Sequence, residues 1–195
     1  MVRAFFNEKA TIWDKTIAEK DISKLERMAQ RLDIKPRSSV LDVGTGTGIF
    51  VPFLLKKIGD NGQLTAIDIA EEMLKLSHAK GFCKNVEHLH ADITKLPIIE
   101  RTFDAIVCYS SFPHFQNKPQ ALNEMYRVIK NRGRLFICHT SSRSEINELH
   151  RSVPEVESDI IPDAEEMLTL ISAAGFTDIK IEDDSDSYLT RAEKH

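Results

Sequence analysis

Two periodicities alternate along this chain. Short, nearly continuous apolar runs occupy 39–43, 64–68, 86–90, 103–108 and 134–139, as in strands covered on both faces. Between them, helical spacing predicts helices near 48–58, 70–80 and 117–130. In the last, Ala121, Leu122, Met125, Val128 and Ile129 mark one buried face. Glu71 and Glu72 fall in a first helical turn, where the helix dipole favours acids. Upstream, residues 4–33 read as helical: Ala10, Trp13 and Ile17 share a face, and Ile22, Leu25, Met28, Ala29 and Leu32 form a second stripe. Pro36 closes that segment. Downstream, a helix at 163–174 stops at Gly175, and strands at 176–183 and 187–193 follow. Their join is too short for a crossover helix, so this pair is expected to be an antiparallel hairpin. The predicted fold is α/β: a doubly wound sheet of five parallel strands plus a C-terminal antiparallel hairpin, seven strands in all. One domain is expected over 1–195, with a helical segment 1–35 ahead of a core 36–195.

Composition narrows the function. The 195 residues are 42% hydrophobic and 29% charged, an ordinary globular balance. A net charge of −4 offers no basic field for nucleic acid, and no apolar run is long enough to span a bilayer. The N-terminus lacks an apolar signal core, so a cytoplasmic location is expected. Cys83, Cys108 and Cys138 are odd in number and lie in or near apolar runs, which suits reduced thiols.

The candidate chemistry gathers where strands end. After Val40, Leu41, Asp42 and Val43 come Gly44, Gly46 and Gly48, and then a helical pattern. Glycines there let backbone N–H groups approach a ligand. The dinucleotide fingerprint needs its third glycine one residue later, where this chain has Ile49. The second strand ends at Asp68, placed to accept from ribose hydroxyls, and the third runs into Ala91, Asp92 and Ile93. The fourth ends in Tyr109, Ser110, Ser111, Phe112, Pro113 and His114, the fifth in His139, Thr140 and Ser141. Each acid alone also suits a turn or an N-cap. Three acids and a glycine turn at successive strand ends suit an uncharged or cationic ligand, since no Lys or Arg lies in the turn.

These stretches together resemble the class I S-adenosylmethionine-dependent methyltransferases, of the small type related to quinone-biosynthesis C-methyltransferases. The matching blocks are Val-Leu-Asp-Val-Gly-Thr-Gly-Thr-Gly at 40–48, Ala-Ile-Asp-Ile-Ala-Glu-Glu-Met-Leu at 66–74, His-Ala-Asp-Ile-Thr-Lys-Leu-Pro at 90–97 and Phe-Asp-Ala-Ile-Val-Cys-Tyr at 103–109. The block 122–135, leading from a helix into the fifth strand, matches as well. The resemblance implies a Rossmann-like core that binds S-adenosyl-L-methionine and releases S-adenosyl-L-homocysteine. It implies that Gly44, Thr45 and Gly46 line the methionine part, Asp68 holds the ribose, Ile69 packs on the adenine and Asp92 accepts from its amino group. Tyr109 is implied near the cofactor, and Asp42, Gly48 and Ile93 are counted in the same set. Residues 5–14 resemble the family's lid helix, with Phe6 and Trp13 toward the acceptor.

A base is needed only if the acceptor carries a proton that must leave. His114, His139 and His150 are the candidates, while His88 and His90 alternate with apolar residues in a strand and read as structural. Their separations show no local ligand motif, so no metal is expected. The fourth strand lacks an Asn/Asp-Pro-Pro-Tyr/Phe motif, and the paired-glutamate hairpin of protein arginine methyltransferases is absent, which leaves a small-molecule acceptor. Residues 151–162 stand in place of a substrate-binding insertion and predict a shallow pocket unless the N-terminal segment closes it. A monomer or homodimer is expected. The rival readings are a cofactor-holding module that acts through a partner in metal, thiol or corrinoid chemistry, and an NAD(P) oxidoreductase, which the glycine spacing and Asp92 disfavour.

Overall fold

The computed structural model describes residues 2–16, 21–82 and 85–195. The N-terminal segment, expected to be helical with two apolar stripes, forms two helices, α1 (Val2–Thr16) and α2 (Ile22–Arg31). The second starts where Asp21 accepts from the backbone N–H of Ser23 and Lys24, a side-chain cap that opens a new helix. Ile17 and Cys83 lie outside the described residues.

The core follows as β1 (Ser39–Val43), α3 (Val51–Ile58), β2 (Gln63–Asp68), α4 (Glu71–Ala79), β3 (Val86–His90), β4 (Phe103–Tyr109), α5 (Lys118–Val128) and β5 (Ile129–His139). After it come α6 (Arg143–Arg151), α7 (Ala164–Ala173), β6 (Thr177–Asp184) and β7 (Ser187–Glu193). The sheet order is β3-β2-β1-β4-β5-β7-β6. β1 to β5 pair in parallel, and β7 inserts antiparallel between β5 and β6. The hairpin turns tightly, with Asp184 opposite Ser187.

Alternation along the strands builds both layers. Leu41, Val43, Ile106, Cys108, Leu135 and Ile137 face one core with Leu122 and Met125 of α5 and Met167 and Ile171 of α7. Val40, Ala105, Val107, Phe136 and Cys138 face the other, with Leu25 and Met28 of α2 and Leu54 of α3. Every second residue serves each layer, so the strands read as continuous apolar runs. Cys108 and Cys138 are fully buried thiols within these layers. No described helix is long and apolar enough to cross a membrane.

A third, smaller cluster joins α1 to α4: Ala10, Ala70 and Met73, with Phe6, Trp13 and Leu76 packed against them. Ala70 provides no side-chain cap for α4. Asn7 of α1 supplies one instead, its Oδ1 accepting from Glu72 N at 3.0 Å while its Nδ2 donates to Glu71 Oε2 at 2.8 Å. Arg3 donates twice to Glu71, at 2.9 and 2.8 Å. These donors hold the Glu71 carboxyl well below its ordinary range, the Arg3 hydrogen bond contributing most. At the far end of α1, Asp14 accepts from the Thr47 hydroxyl and pairs with Lys80 at 2.9 Å. α1 is thereby tied down at both of its ends, to α4 and to the turn after β1.

Candidate functional site

Between β1 and β4 the strand order reverses, and a crevice opens at the carboxyl ends of the strands, as doubly wound sheets require. The chain leaves β1 through a turn held to β2. Gly44 N and Thr45 N both donate to Ile67 O at 2.9 Å, and Gly48 N closes the turn on Thr45 O at 2.8 Å. Asp42 stabilises the turn from behind, accepting from Thr45 Oγ1 at 2.6 Å. At the end of β2, Asp68 accepts from Gly46 N and from Ala70 N, each at 2.8 Å. One carboxylate therefore ties the glycine turn to the start of α4.

A cavity of about 290 Å³ fills the crevice. Gly44, Thr45, Gly46, Asp68, Ile69, Asp92, Ile93 and Tyr109 line one part of it, and Phe6, Trp13 and His114 line another. None of its lining residues, all of them described, is Lys or Arg. Asp92 accepts from Thr94 N and Thr94 Oγ1, both at 2.8 Å, which shapes the turn after β3. Tyr109 stacks on Phe50 with centroids 4.4 Å apart, and its hydroxyl sits 3.0 Å from Thr140 Oγ1. Phe6 meets the Trp13 ring edge-on at 5.3 Å and the His114 ring at 4.9 Å. The pocket is walled by α1 and is not the shallow groove that residues 151–162 alone suggested.

Four of the residues expected at this site do not line the cavity. Asp42 is 1% exposed, behind the turn. Burial pushes its carboxyl up to about 7, opposed by the Thr45 hydroxyl. Gly48 serves packing, because a Cβ there would lie 2.4 Å from Ser77 Oγ of α4. His139 was expected at the ligand edge. It is instead buried on the Ile137 face of β5, against Tyr188, and burial, with His114 and His150 nearby, lowers its pKa to about 3. Its Nε2 has no hydrogen-bond partner. His150, on α6, donates from Nδ1 to the carbonyl of Asp159, and its ring lies 4.8 Å from that of His114. Burial lowers its pKa, the Asp159 carbonyl opposing.

Sequence reasoning missed several groups here. Ser110 lines the cavity with φ 51, the left-handed region rarely used by non-glycine residues, and its Oγ is buried without a partner. Strain of this kind gathers at functional sites. Asp159 lies 2.9 Å from His114 Nδ1 through Oδ2. α6 itself, which carries His150, was not foreseen, although Ser142 and Glu145 form a complete capping box and the Ser-x-x-Glu spacing was readable.

Three comparisons bear on what this cavity does. The family described as "Methyltransferase domain" matches residues 41–137. The ubiquinone/menaquinone biosynthesis C-methyltransferase UbiE of Teredinibacter turnerae is 36% identical over 112 residues, covering 55% of this chain and 45% of its own length. Its counterpart from an Enterobacter species is 31% identical over 139 residues, covering 69% and 55%. The chain thus spans about half the length of the curated relatives it matches. The crystal structure of a SAM dependent methyltransferase from Aquifex aeolicus superposes with a TM-score of 0.75 at 26% identity, over 95% of this chain and 97% of that one.

Proposed function

The chain belongs to the class I S-adenosylmethionine-dependent methyltransferases, and on that premise we propose that it methylates a small-molecule acceptor held between the glycine turn and α1. The observation that carries this reading is the single cavity that joins Gly46 and Asp68 to Phe6, Trp13 and His114. When bound, S-adenosylmethionine supplies a methyl group on a positively charged sulfur, open to in-line displacement by an acceptor.

The chain's own residues suit that group. The backbone at Gly46 is open, with nothing within 4 Å of the position a Cβ would take. A phosphate-free, cationic cofactor needs acids and close backbone, not lysines, and the lining has that character. In this reading Gly44, Thr45 and Gly46 line the methionine part. Asp68 accepts from the ribose hydroxyls, Ile69 packs on the adenine and Asp92 accepts from the adenine amino group, with Ile93 and Tyr109 closing the sides. α1 acts as the lid over a single domain. Phe6 and Trp13 exclude water and orient the acceptor, and such positioning lowers a bimolecular barrier strongly. His114 takes a proton from the acceptor where one must leave. The names of the curated relatives bring carbon acceptors into the screen beside oxygen, nitrogen and sulfur ones.

Titration calorimetry tests the cofactor half. The wild type is expected to bind S-adenosylmethionine and S-adenosylhomocysteine. Asp68→Ala, removing hydrogen bonds to a charged group, is expected to bind both roughly 10- to 100-fold more weakly. Absence of binding by folded wild-type protein would reject the reading. S-adenosylhomocysteine formation by the purified chain with an acceptor would separate an independent enzyme from a module that needs a partner.

A further inference from the structure

The segment between α6 and α7 carries a buried carboxylate. Asp159 is 4% exposed, and its ion-pair partner is an imidazole, His114 Nδ1 at 2.9 Å. Its other oxygen accepts from Gln116 Nε2 at 3.3 Å. The segment that delivers it is clamped to α6, because Asn147 donates to Ile161 O at 3.0 Å and accepts from Ile161 N at 2.8 Å. A second imidazole, His150, donates to the Asp159 carbonyl. This one short segment thus fixes both rings.

We propose that Asp159 is a positioning residue that holds His114 in the Nδ1–H form, so that its Nε2 serves as the base for an acceptor carrying an ionisable proton. The proposal rests on the methyltransferase reading and narrows the acceptor to an O–H, S–H or protonated-amine compound, or a carbon made nucleophilic by such a group. An ionised carboxylate only accepts hydrogen bonds, so the ring nitrogen facing it carries the hydrogen. The lone pair of neutral His114 is then at Nε2, on a ring that lines the cavity. The acceptor X–H bond breaks, its proton goes to Nε2, and the electron pair stays on X as the nucleophile. The resulting imidazolium keeps its Nδ1–H on Asp159, whose negative charge balances it. The titratable groups facing this pair are His150 of α6, His139 of β5 and Lys118 of α5. Burial lowers the pKa of each, so the carboxylate–imidazole pair is not crowded by a further charged histidine near neutral pH.

Asp159→Asn is the informative variant. With the amide oxygen taken by Gln116, the Asn NH₂ group faces His114 Nδ1 and favours the opposite tautomer. Long-range ¹H–¹⁵N spectra of the histidine-labelled chain at mildly alkaline pH, assigned with His114→Gln, are expected to show Nδ1–H in the wild type and Nε2–H in the variant. Cofactor affinity is expected to stay unchanged. With the acceptor in hand, kcat is expected to fall about 10²- to 10⁴-fold with KM nearly constant, the acid limb of the pH profile is expected to shift, and Asp159→Glu is expected to recover part of the loss. A wild-type His114 protonated at Nε2, or full kcat in folded Asp159→Asn, would overturn the proposal. The wild-type spectrum needs no cofactor, so failed cofactor binding would remove the methyltransferase reading without blurring the tautomer result.

Discussion

Gly44→Ala is expected to cost about 2–5 kcal/mol of folding stability, whereas Gly46→Ala is expected to fold nearly normally and lose the cofactor. Both glycines have positive φ, +70 and +56, which costs an L-residue roughly 1–2 kcal/mol. They differ in what a methyl group would meet. At Gly44 a Cβ would sit 2.4 Å from Ser111 Cβ. Ser111 cannot swing away cheaply, because its hydroxyl donates to Val43 O at 2.6 Å, inside the core. Overpacking there adds about 1–3 kcal/mol, a large share of a typical stability of roughly 5–15 kcal/mol. At Gly46 a Cβ meets no atom and projects from the cavity wall. It would occupy space where the proposed cofactor needs close backbone, and a loss of about 100-fold in affinity, roughly 2.7 kcal/mol, is expected. Urea midpoints and calorimetry on both variants check this. Wild-type affinity in Gly46→Ala would mean that no ligand approaches the glycine turn closely.

The same contrast explains what could be read in the sequence. Alternating helices and apolar strands made the sheet legible, since its layers depend on periodicity alone and every strand was anticipated to within a few residues. β5 is the largest departure, running from Ile129 where 134 was expected. The chain passes straight from α5 into extended backbone, and the pairing shifts between Phe103 and Ala105 to absorb the difference. The Gly-x-Gly turn was legible too. The division of labour within it was not, because whether a glycine faces a ligand or a neighbouring helix depends on tertiary contact. Ser77 of α4 closes on Gly48, and nothing closes on Gly46.

Acceptor-side residues were the least legible. Asp159 meets His114 across 45 positions of chain, and no local spacing records such a pairing. Asn7, which caps α4 from α1, is equally remote from its partners. His139 was legible as a strand-end residue but not as a buried one. Its neighbours on the sheet alternate between two covered faces, and the last residue of β5 still falls under that cover because β7 continues beside it, with His139 opposite Tyr188.

That burial gives the second large expected effect, in the pH dependence of stability. Asp42 and His139 are both wholly buried and shifted in opposite directions, to about 7 and about 3. Between its unfolded pKa of about 3.9 and about 7, Asp42 holds a proton in the folded state that the unfolded chain has released. Its contribution therefore falls as pH rises, by up to about 1.4 kcal/mol per pH unit. Between about 3 and roughly 6.5, His139 is neutral when folded and protonated when unfolded, so its contribution falls as pH drops. Asp42→Asn is then expected to gain stability relative to wild type as pH rises from about 4 to 7, and His139→Gln to gain as pH falls from about 6.5 to 3, each by roughly 3–4 kcal/mol across its window. Constant packing penalties of the substitutions shift these difference curves without changing their slopes. Other titrating groups, including Asp68, which burial also raises, cancel in the difference so long as each substitution leaves them undisturbed. Chemical denaturation at several pH values measures both curves. Parallel slopes for the two variants would contradict the opposed titrations, and a flat curve for Asp42→Asn would mean that Asp42 is ionised in the folded protein behind the glycine turn.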